Sequence, residues 1–276
     1  MSAILLNILF GCQPEDISQG NGLTDTSLNA AFTIVADGTS PNKFTLKATN
    51  KNYIMSKWDI GDGAGAFIGG MEQSIFLPDA GTYNITHTAV GKGASTASAT
   101  SPITVLTSDP NSGNIVQGGS FETSSDIAKW TILRISSSGT SWVFGGGKAT
   151  VTGGGWNQQG FYQAITVIKD KTYKIDLVAS STTGVSNTWF EVYCSTTAPT
   201  QDSDYSADGI KRNINTWDGC GGAAFSGKTS NVGCNSSKNV GTFKAPISGT
   251  MYLVIKCGGE DLKGGISVDN IEVRGQ

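Results

Sequence analysis

The run Tyr162-Gln163-Ala164-Ile165-Thr166-Val167, followed by Thr172-Tyr173-Lys174-Ile175-Asp176-Leu177-Val178, decides the fold of this chain. Apolar and β-branched residues alternate with polar ones in both stretches, which is the period of a half-buried strand. Similar short runs recur between clusters of Gly, Asn and Ser, and long helical patterns are missing. The sequence therefore predicts an all-β protein built from packed sheets.

Composition narrows the class of protein. The 276 residues are enough for about two domains, and a hydrophobic content of 38% can form real cores. Charged residues make up only 15% and the formal net charge is -3, so nucleic acid is not indicated as a partner. No internal stretch reaches the ~20 apolar residues that a membrane-spanning helix requires.

The N-terminal residues differ from the rest. The apolar run Ala3–Phe10 is too short to span a bilayer and ends in Gly11-Cys12. This pattern resembles the lipobox of bacterial lipoproteins, in which the cysteine is acylated, and Gln13-Pro14-Glu15-Asp16 resembles the export signal of Bacteroidetes surface lipoproteins. Residues 1–24 are then a signal and flexible tether, with the protein lipid-anchored at the outer membrane. The alternative is a buried strand with an incidental cysteine, since a basic n-region is missing.

The other cysteines fit an exported protein. Cys194, Cys220, Cys234 and Cys257 form an even set, which suggests two disulfides with three possible connectivities. Cys220 and Cys234 flank a Gly-rich stretch, so we expect them to close that loop. We expect Cys194 and Cys257, which each end a strand-like run, to pair. A zinc site is the rival, but Cys-x-x-Cys spacing is missing and the single histidine, His87, is remote in sequence.

Residues 25–106 predict a first domain, because alternating runs fill about 80 residues, the length of one small sandwich. Within them, Trp58-Asp59-Ile60-Gly61-Asp62-Gly63 resembles the Trp-Asp-Phe-Gly-Asp-Gly motif of PKD domains. Ala80-Gly81-Thr82-Tyr83-Asn84-Ile85 resembles the second signature of that family. The resemblance implies an immunoglobulin-like sandwich that serves as a spacer.

The first PKD-like motif also has a physical interpretation. We expect Trp58 to fill the space between two sheets, while Gly61 and Gly63 take positive φ in a tight turn. Asp59 and Asp62 would accept hydrogen bonds from backbone amides there. A calcium loop is the alternative for these aspartates, although the further Asp/Asn and distal Glu of an EF-hand are missing.

After a polar linker at residues 107–113, residues 114–276 carry about ten strand-like runs, which predict a jelly-roll β-sandwich. The opening Asn114-Ile115-Val116-Gln117-Gly118-Gly119-Ser120-Phe121-Glu122, the central runs quoted above and the closing Ile266-Ser267-Val268-Asp269-Asn270-Ile271-Glu272-Val273 resemble carbohydrate-binding modules of families 4, 9 and 22. The resemblance covers the domain from end to end and implies that it binds polysaccharide. The segment from Cys194 to Cys234 departs from the family pattern.

The same resemblance implies a structural calcium ion (Ca2+) that ties the first strand to the last. By position, its ligands would be the backbone near Ser120, the Glu122 carboxylate, the backbone near Gly147 or Lys148, and Asp269. Calcium takes six to eight oxygens, and carbonyls at a Gly-rich turn are accessible. The alternative is that Glu122 and Asp269 are ordinary surface carboxylates.

Tryptophan is the residue type that points to sugar binding, because its flat apolar face can stack on a pyranose ring. Trp156 is the best candidate, since we expect it in a polar loop, Gly153–Gly160, with Asn157 and Gln158 beside it. Trp217 lies in a loop that a nearby disulfide would stiffen. We expect Trp130 to be in the core, and Trp142 could belong to the core or the ligand surface.

One strand supplies further candidates, because alternate residues point to opposite faces. Phe190 and Val192 are purely apolar and are assigned inward, which leaves Trp189, Glu191 and Tyr193 facing a concave surface. The predicted ligand-binding set is Trp142, Trp156, Asn157, Gln158, Trp189, Glu191, Tyr193 and Trp217.

These features predict a surface lipoprotein that captures polysaccharide for an outer-membrane glycan import machinery, with a β-glucan such as the β-1,3-glucan laminarin favoured and no catalytic activity. A glycoside hydrolase is the main alternative, and it would need two carboxylates about 5–9 Å apart. A protein-binding adhesin is the other alternative. His87 is expected to be solvated or partly packed in the first domain, so it does not support a Ser-His-Asp triad.

Overall fold

A computed structural model describes residues 27–276, so Cys12 and the whole predicted signal and tether, residues 1–24, lie outside the described residues. The fold is all-β, as predicted, and the chain divides into two compact units with the boundary between Thr107 and Ser108. Most of the predicted linker, residues 108–113, belongs to the second unit. Within residues 27–276, no helix has the length and apolar character needed to cross a membrane.

The first unit is a sandwich of two antiparallel sheets. Its strands are β1 (Phe32–Ala36), β2 (Lys43–Ala48), β3 (Met55–Asp59), β4 (Phe67–Gly69), β5 (Glu72–Phe76), β6 (Gly81–Val90) and β7 (Thr96–Val105), with a 3₁₀ turn at Lys92–Ala94. One sheet has the order β1-β2-β5 and the other β4-β3-β6-β7. The immunoglobulin-like sandwich predicted for this segment is confirmed as a fold.

The turn after β3 confirms the physical interpretation of its motif. Trp58 is fully buried in the core of this unit, and its indole N–H donates to the carbonyl of Gly70 at 2.9 Å. Gly61 and Gly63 have φ of +71° and +82°. Asp59 accepts a hydrogen bond from the Gly61 amide at 2.9 Å, and Asp62 accepts one from the Ala64 amide at 3.0 Å.

The expectation that His87 is solvated or partly packed is wrong, because its side chain is fully buried. Its ring stacks on Trp58 with the ring centroids 4.1 Å apart. One ring nitrogen lies 2.8 Å from the carbonyl oxygen of Ala30 and the other 3.1 Å from the hydroxyl of Ser56. His87 shares the inward face of β6 with Ile85, so the alternation of the strand places it in the core.

The second unit is a β-sandwich with a larger core. Its strands are β8 (Thr131–Arg134), β9 (Thr140–Phe144), β10 (Ala149–Val167), β11 (Thr172–Ser181), β12 (Ser186–Ser195), β13 (Ile210–Asn215), β14 (Phe225–Lys228), β15 (Thr242–Lys244), β16 (Gly249–Asp261) and β17 (Ile266–Gly275). It also contains the short helices α1 (Ser124–Ile127) and α2 (Thr229–Val232), and 3₁₀ turns at Thr216–Asp218 and Ser237–Asn239.

Strand β10 belongs to both layers of this sandwich. Residues 149–153 pair with β9, and β17 pairs with the first three of them. Residues 154–167 pair with β16, and β8 joins within that part. One layer therefore has the order β13-β12-β16-β10-β8, and the other contains β9, β10, β17 and β11, with β14 and β15 on β11.

Three consecutive glycines mark the point where β10 changes layer. Gly153, Gly154 and Gly155 have φ of +114°, +152° and +65°, and the register shifts between Gly154 and Asn157. The polar loop expected at residues 153–160 is therefore wrong, because these residues continue the strand. Glycine at this position supplies the bend that lets a strand pass from one sheet to the next.

The cysteine predictions are half right. Cys220 and Cys234 form the expected disulfide, with their Cα atoms 5.2 Å apart. Cys194 and Cys257 do not pair; both are buried free thiols. On the neighbouring strands β12 and β16, Cys194 lies opposite Leu253 and Cys257 opposite Phe190. The two cysteines are thus offset by four residues, about 13 Å along a strand, whereas a disulfide needs Cα atoms within about 7 Å.

Candidate functional site

The pairing of four strands places two of the predicted ligand residues, Gln158 and Trp189, in one row across the sheet. Gln158 of β10 lies opposite Gly258 of β16, Gly258 lies opposite Trp189 of β12, and Trp189 lies opposite Asn215 of β13. The side chains of Gln158, Trp189 and Asn215 are partly exposed and lie on the outer face of the sheet. On the inner face of β12, Phe190 and Val192 are fully buried in the core, as predicted.

This row forms part of an open cleft of about 490 Å³. Its lining comprises aromatic rings, amides and charged groups: Gln158, Trp189, Glu191, Tyr193, Asp204, Ser206, Asn215, Trp217 and Lys256. Of the predicted set, Gln158, Trp189, Glu191, Tyr193 and Trp217 lie here. The cleft thus combines the apolar surface and the hydrogen-bonding groups that a sugar requires.

Trp189 and Trp217 line the cleft, and Trp156 lies next to Trp217; we call these three residues the tryptophan strip. The ring centroids of Trp156 and Trp217 are 6.2 Å apart with planes tilted by 31°, and those of Trp217 and Trp189 are 6.2 Å apart with a tilt of 34°. Trp156 is 57% exposed and Trp217 is 55% exposed. The strip therefore offers two largely open aromatic faces next to a third, partly covered one.

A glycine allows Trp189 to lie across the sheet. A Cβ atom at Gly258 would stand 2.8 Å from Cζ2 of Trp189 and would also collide with Gln158. The indole N–H of Trp189 donates to Oε1 of Gln158 at 3.3 Å. The missing side chain at Gly258 therefore sets the position of the partly covered indole.

Trp156 is presented by the bulge in β10. Its own φ is +66°, a left-handed conformation that a bulky residue seldom adopts. The side-chain amide of Asn157 donates to the carbonyls of Gly154 and Gly155 at 3.0 and 3.1 Å. Asn157, predicted as a ligand contact, thus uses its amide to hold the bulge, and the bulge directs the Trp156 ring into solvent.

Trp217 stands on a loop with several internal restraints. Oδ1 of Asn215 accepts a hydrogen bond from the Trp217 backbone amide at 2.9 Å. The Cys220–Cys234 disulfide joins this loop to the segment after α2. The carboxylate of Asp218 accepts from the Asn213 amide at 2.8 Å and pairs with Lys238 at 3.3 Å. A loop restrained in this way loses little entropy when a ligand binds.

A buried lysine organises the floor of the cleft. Nζ of Lys256, whose side chain is 4% exposed, lies 2.6 Å from Oδ1 of Asp204 and 3.4 Å from Oε2 of Glu191. Tyr193 donates its hydroxyl to Oε2 of Glu191 at 2.7 Å. Burial and this hydrogen bond raise the pKa of Tyr193, so the phenol stays protonated. Tyr193 is 3% exposed, so it positions Glu191 and offers little ring surface to a ligand.

Sequence reasoning missed Lys256 and Asp204. Lys256 ends the run Met251-Tyr252-Leu253-Val254-Ile255, and a lysine at the end of an apolar strand is ordinarily solvated. Its pairing opposite Glu191 depends on the register between β16 and β12, which the sequence does not show. Asp204 comes from the long connection between β12 and β13.

Trp142 is not part of the cleft, so its inclusion in the ligand set is wrong. It is 6% exposed, its indole N–H donates to the Gln159 carbonyl at 2.9 Å, and its ring meets Phe161 edge-on at 4.7 Å. Its position in β9 places it on the face that packs into the core. Trp130 is a core residue, as predicted, and its N–H donates to the Gly118 carbonyl.

The proposed calcium ligands lie partly together. Glu122, Gly147, Lys148 and Asp269 line one small cavity. Ser120 lies in the same opening segment, which runs beside the last strand: the Ile271 amide donates to the Gly119 carbonyl at 3.0 Å. Gly147, with φ of +70°, leaves room for the Glu122 carboxylate, since a Cβ atom there would stand 2.9 Å from its Oε1.

Two carboxylates, Glu122 and Asp269, and one lysine, Lys148, line this cavity. Burial and the nearby Glu122 raise the pKa of Asp269, because a second negative charge there is poorly solvated. Residues 27–276 contain no group of three or more acidic, His or Cys side chains that could hold a metal. Calcium would therefore have to take its remaining oxygens from backbone carbonyls and water.

No protein-family model and no curated protein matches this chain. Solved structures are similar to it at low identity. One is a carbohydrate-binding module of the β-sandwich superfamily, with 15% identity and a TM-score of 0.31, covering 88% of this chain and 96% of its own. A protein described as CBM4 has 16% identity and a TM-score of 0.34, covering 58% and 99%.

The Stig cyclase Fisc from Fischerella sp. TAU is another similar structure, with 11% identity and a TM-score of 0.34, covering 59% of this chain and 96% of its own. Scores of this size carry no functional argument, since a binding module and an enzyme both have them.

Proposed function

We propose that the second unit binds a polysaccharide by stacking its sugar rings on the tryptophan strip. The observation that carries the proposal is that Trp156 and Trp217 are each more than half exposed, yet both are held in place by specific contacts. Covering a large exposed aromatic ring with a ligand is favourable, because the ring loses its contact with water. The flat face of the ring also matches the C–H side of a pyranose. Amides and carboxylates beside the strip can bond the hydroxyl groups.

We propose that this site binds without cleaving. Glu191 and Asp204 are the pair that a glycoside hydrolase would use, and both contact Nζ of Lys256, so their carboxylate oxygens lie within 6 Å of each other. This upper limit is compatible with the ~5–5.5 Å separation of the carboxyl groups in retaining glycosidases. Both carboxylates, however, contact the same buried ammonium, which favours their ionised form and leaves neither as a general acid. Release of reducing sugar on prolonged incubation, abolished by Glu191→Gln, would show instead that the protein is a hydrolase.

The binding test compares wild type with the double variant Trp156→Ala/Trp217→Ala on laminarin, mixed-linkage glucan, xylan and galactan. Affinity electrophoresis should show retardation of wild type by at least one polymer. Each ring contributes about 0.5–1.5 kcal/mol beyond its buried area, so loss of both should reduce binding to near the detection limit. Val143→Ala removes a 64% exposed side chain from another strand and should bind normally. Equal retardation of all three proteins would disprove the strip as the site.

The wider role is proposed from the sequence resemblances. We infer a Bacteroidetes-type surface lipoprotein, anchored through Cys12, in which the PKD-like unit is a spacer and the second unit supplies glycan, a laminarin-like β-1,3-glucan being favoured, to an import machinery. Two acyl chains would hold such a protein on a membrane durably. Metabolic labelling with a lipid analogue should mark wild type and not Cys12→Ala.

We also infer a structural calcium ion at Glu122 and Asp269. Two neighbouring carboxylates beside a Gly-rich turn fit such an ion, which would join the opening segment of the second unit to its last strand. Elemental analysis of the purified protein tests this directly.

A further inference from the structure

The carboxylates on the floor of the cleft have one oxygen each in use. Oε2 of Glu191 accepts the hydrogen bond from Tyr193 and faces Lys256. Oδ1 of Asp204 accepts from Nζ of Lys256 at 2.6 Å and from the Tyr205 backbone amide at 2.8 Å. Among residues 27–276, no donor reaches the second oxygen of either carboxylate. Two fixed acceptor atoms, Oε1 of Glu191 and Oδ2 of Asp204, therefore remain for a ligand.

The amides in the cleft show the complementary pattern. Oε1 of Gln158 accepts from the Trp189 indole at 3.3 Å, and Oδ1 of Asn215 accepts from the Trp217 amide at 2.9 Å. Their carbonyl oxygens are thus engaged in positioning the strip, and each side chain keeps an NH₂ group that can donate. The cleft offers acceptors on its floor and donors beside the tryptophans.

The charges that line the cleft also favour a ligand that donates hydrogen bonds. The cleft contains two carboxylates and one ammonium, and that ammonium is 4% exposed and already contacts both carboxylates. Asp204, in contrast, is 57% exposed. Asp218, in the loop that carries Trp217, is paired with Lys238 and adds no net charge. A ligand therefore meets a negative floor, and an ionised carboxylate can accept hydrogen bonds but cannot donate them.

We propose that Glu191 and Asp204 determine the ligand class, selecting a neutral glycan that donates hydrogen bonds from neighbouring hydroxyl groups and excluding polymers that carry carboxylate or sulfate groups. This inference rests on the proposed glycan-binding function. A sugar hydroxyl can donate to the unused oxygens, whereas a uronate or sulfate would place negative charge against them without a donor between. Lys256 is a positioning residue, because its buried ammonium contacts both carboxylates.

The test uses matched polymers that differ only in charge. Laminarin is compared with laminarin oxidised to the carboxylate at C6, and the neutral panel is extended by xylan, galactan and mixed-linkage glucan, with polygalacturonate and alginate as acidic polymers. Wild type should bind at least one neutral polymer and bind acidic polymers about ten-fold more weakly or not at all at low salt.

Asp204→Asn sharpens the test, because it keeps the shape of the side chain while removing the charge and adding a donor. The variant should fold, since Asp204 is largely exposed, and a melting curve checks this. It should bind the neutral polymer about three-fold to ten-fold more weakly, and the ratio of neutral to acidic affinity should fall by a similar factor. Asp208→Asn, an exposed aspartate of the same connection that does not line the cleft, should leave the ratio unchanged.

Three results would overturn the proposal. One is tighter binding of an acidic polymer than of every neutral one, weakened by salt, which would leave glycan binding intact but reverse its charge preference. The second is an unchanged affinity ratio in a folded Asp204→Asn variant, which would remove Asp204 as a determinant. The third is the absence of binding to any polymer, neutral or acidic, in which case the proposed function itself fails.

Discussion

The second unit uses some of its tryptophans in a way that the first unit does not. In the first unit, Trp58 is fully buried, its N–H is bonded to a backbone carbonyl, and a histidine stacks on its face. In the second unit, Trp156 and Trp217 are more than half exposed, and the bonds around them hold the backbone. The buried indole of Trp58 is fixed by a bond from its own N–H, whereas Trp156 and Trp217 are fixed by bonds of the backbone around them.

The largest effect should come from removing a core indole. Trp130→Ala should destabilise the second unit by ~3–5 kcal/mol, the usual cost of such a truncation, because Trp130 packs against Phe121 and Phe161. Trp156→Ala should change the melting temperature little while weakening glycan binding about three-fold to ten-fold. Thermal melts and affinity gels on both variants measure this contrast. A folded Trp130→Ala, or an unfolded Trp156→Ala, would abolish the distinction between the two kinds of indole.

Removing the disulfide should have the next largest effect. Cys220 and Cys234 are separated by 14 residues in sequence, and a loop of about that length contributes ~3 kcal/mol to stability. Replacing both with serine should lower stability by up to this amount and weaken binding, because the Trp217 loop is no longer ordered in advance. Reductant should shift wild type toward the double variant and leave the variant unchanged. Identical melting curves for the two proteins would contradict this role.

A substitution at Gly258 tests whether binding depends on the position of the Trp189 ring as well as on its presence. Gly258→Ala keeps all three indoles but adds a methyl group where the Trp189 ring lies. Displacement of that ring should weaken binding by about ten-fold, and the crowding should cost ~1–3 kcal/mol of stability. Gly145→Ala is the control, because nothing lies within 4 Å of its added Cβ. Normal binding by Gly258→Ala would mean that Trp189 does not contact the ligand.

The smallest effect concerns pH at the Glu122–Asp269 cavity. The pKa of Asp269 is raised above 3.8 in the folded protein, so in chelator the folded state takes up this proton at a higher pH than the unfolded state does. The contribution of Asp269 to stability should therefore improve as the pH falls from 7 toward 4. The difference in melting temperature between Asp269→Asn and wild type should narrow over that range.

In chelator at pH 7, Asp269→Asn should melt at a higher temperature than wild type, and added calcium should reverse that order. If the ion binds, it should raise the melting temperature of wild type and not that of Asp269→Asn, because ligands that bind only the folded state stabilise it. A wild-type melting curve that is the same with calcium and with chelator would remove the ion from the description of this unit.

Local sequence patterns were sufficient for much of the architecture. Alternation along β12 correctly assigned Phe190 and Val192 to the core, because side chains point to opposite faces of a strand at every step. The Gly61–Gly63 turn followed from the need for positive φ. The Cys220–Cys234 bond followed from two cysteines on either side of a flexible stretch.

The errors have a common physical origin in contacts between distant parts of the chain. The burial of Trp142 and His87 could not be predicted from the sequence. Alternation along a strand shows that successive side chains point to opposite faces, but it does not show which face another sheet covers. The glycines at 153–155 predicted a loop, and only the pairing of β10 with two layers shows that they bend a strand.

The sequence by itself determined an all-β chain of two sandwiches and identified Trp156, Trp189 and Trp217 as candidate stacking residues. The tertiary structure alone decided that these three indoles are neighbours and that Lys256 lies between Glu191 and Asp204. The physical reason is register: the strands that supply these residues are far apart in sequence, and a shift of one residue in their pairing would move every side chain to the opposite face.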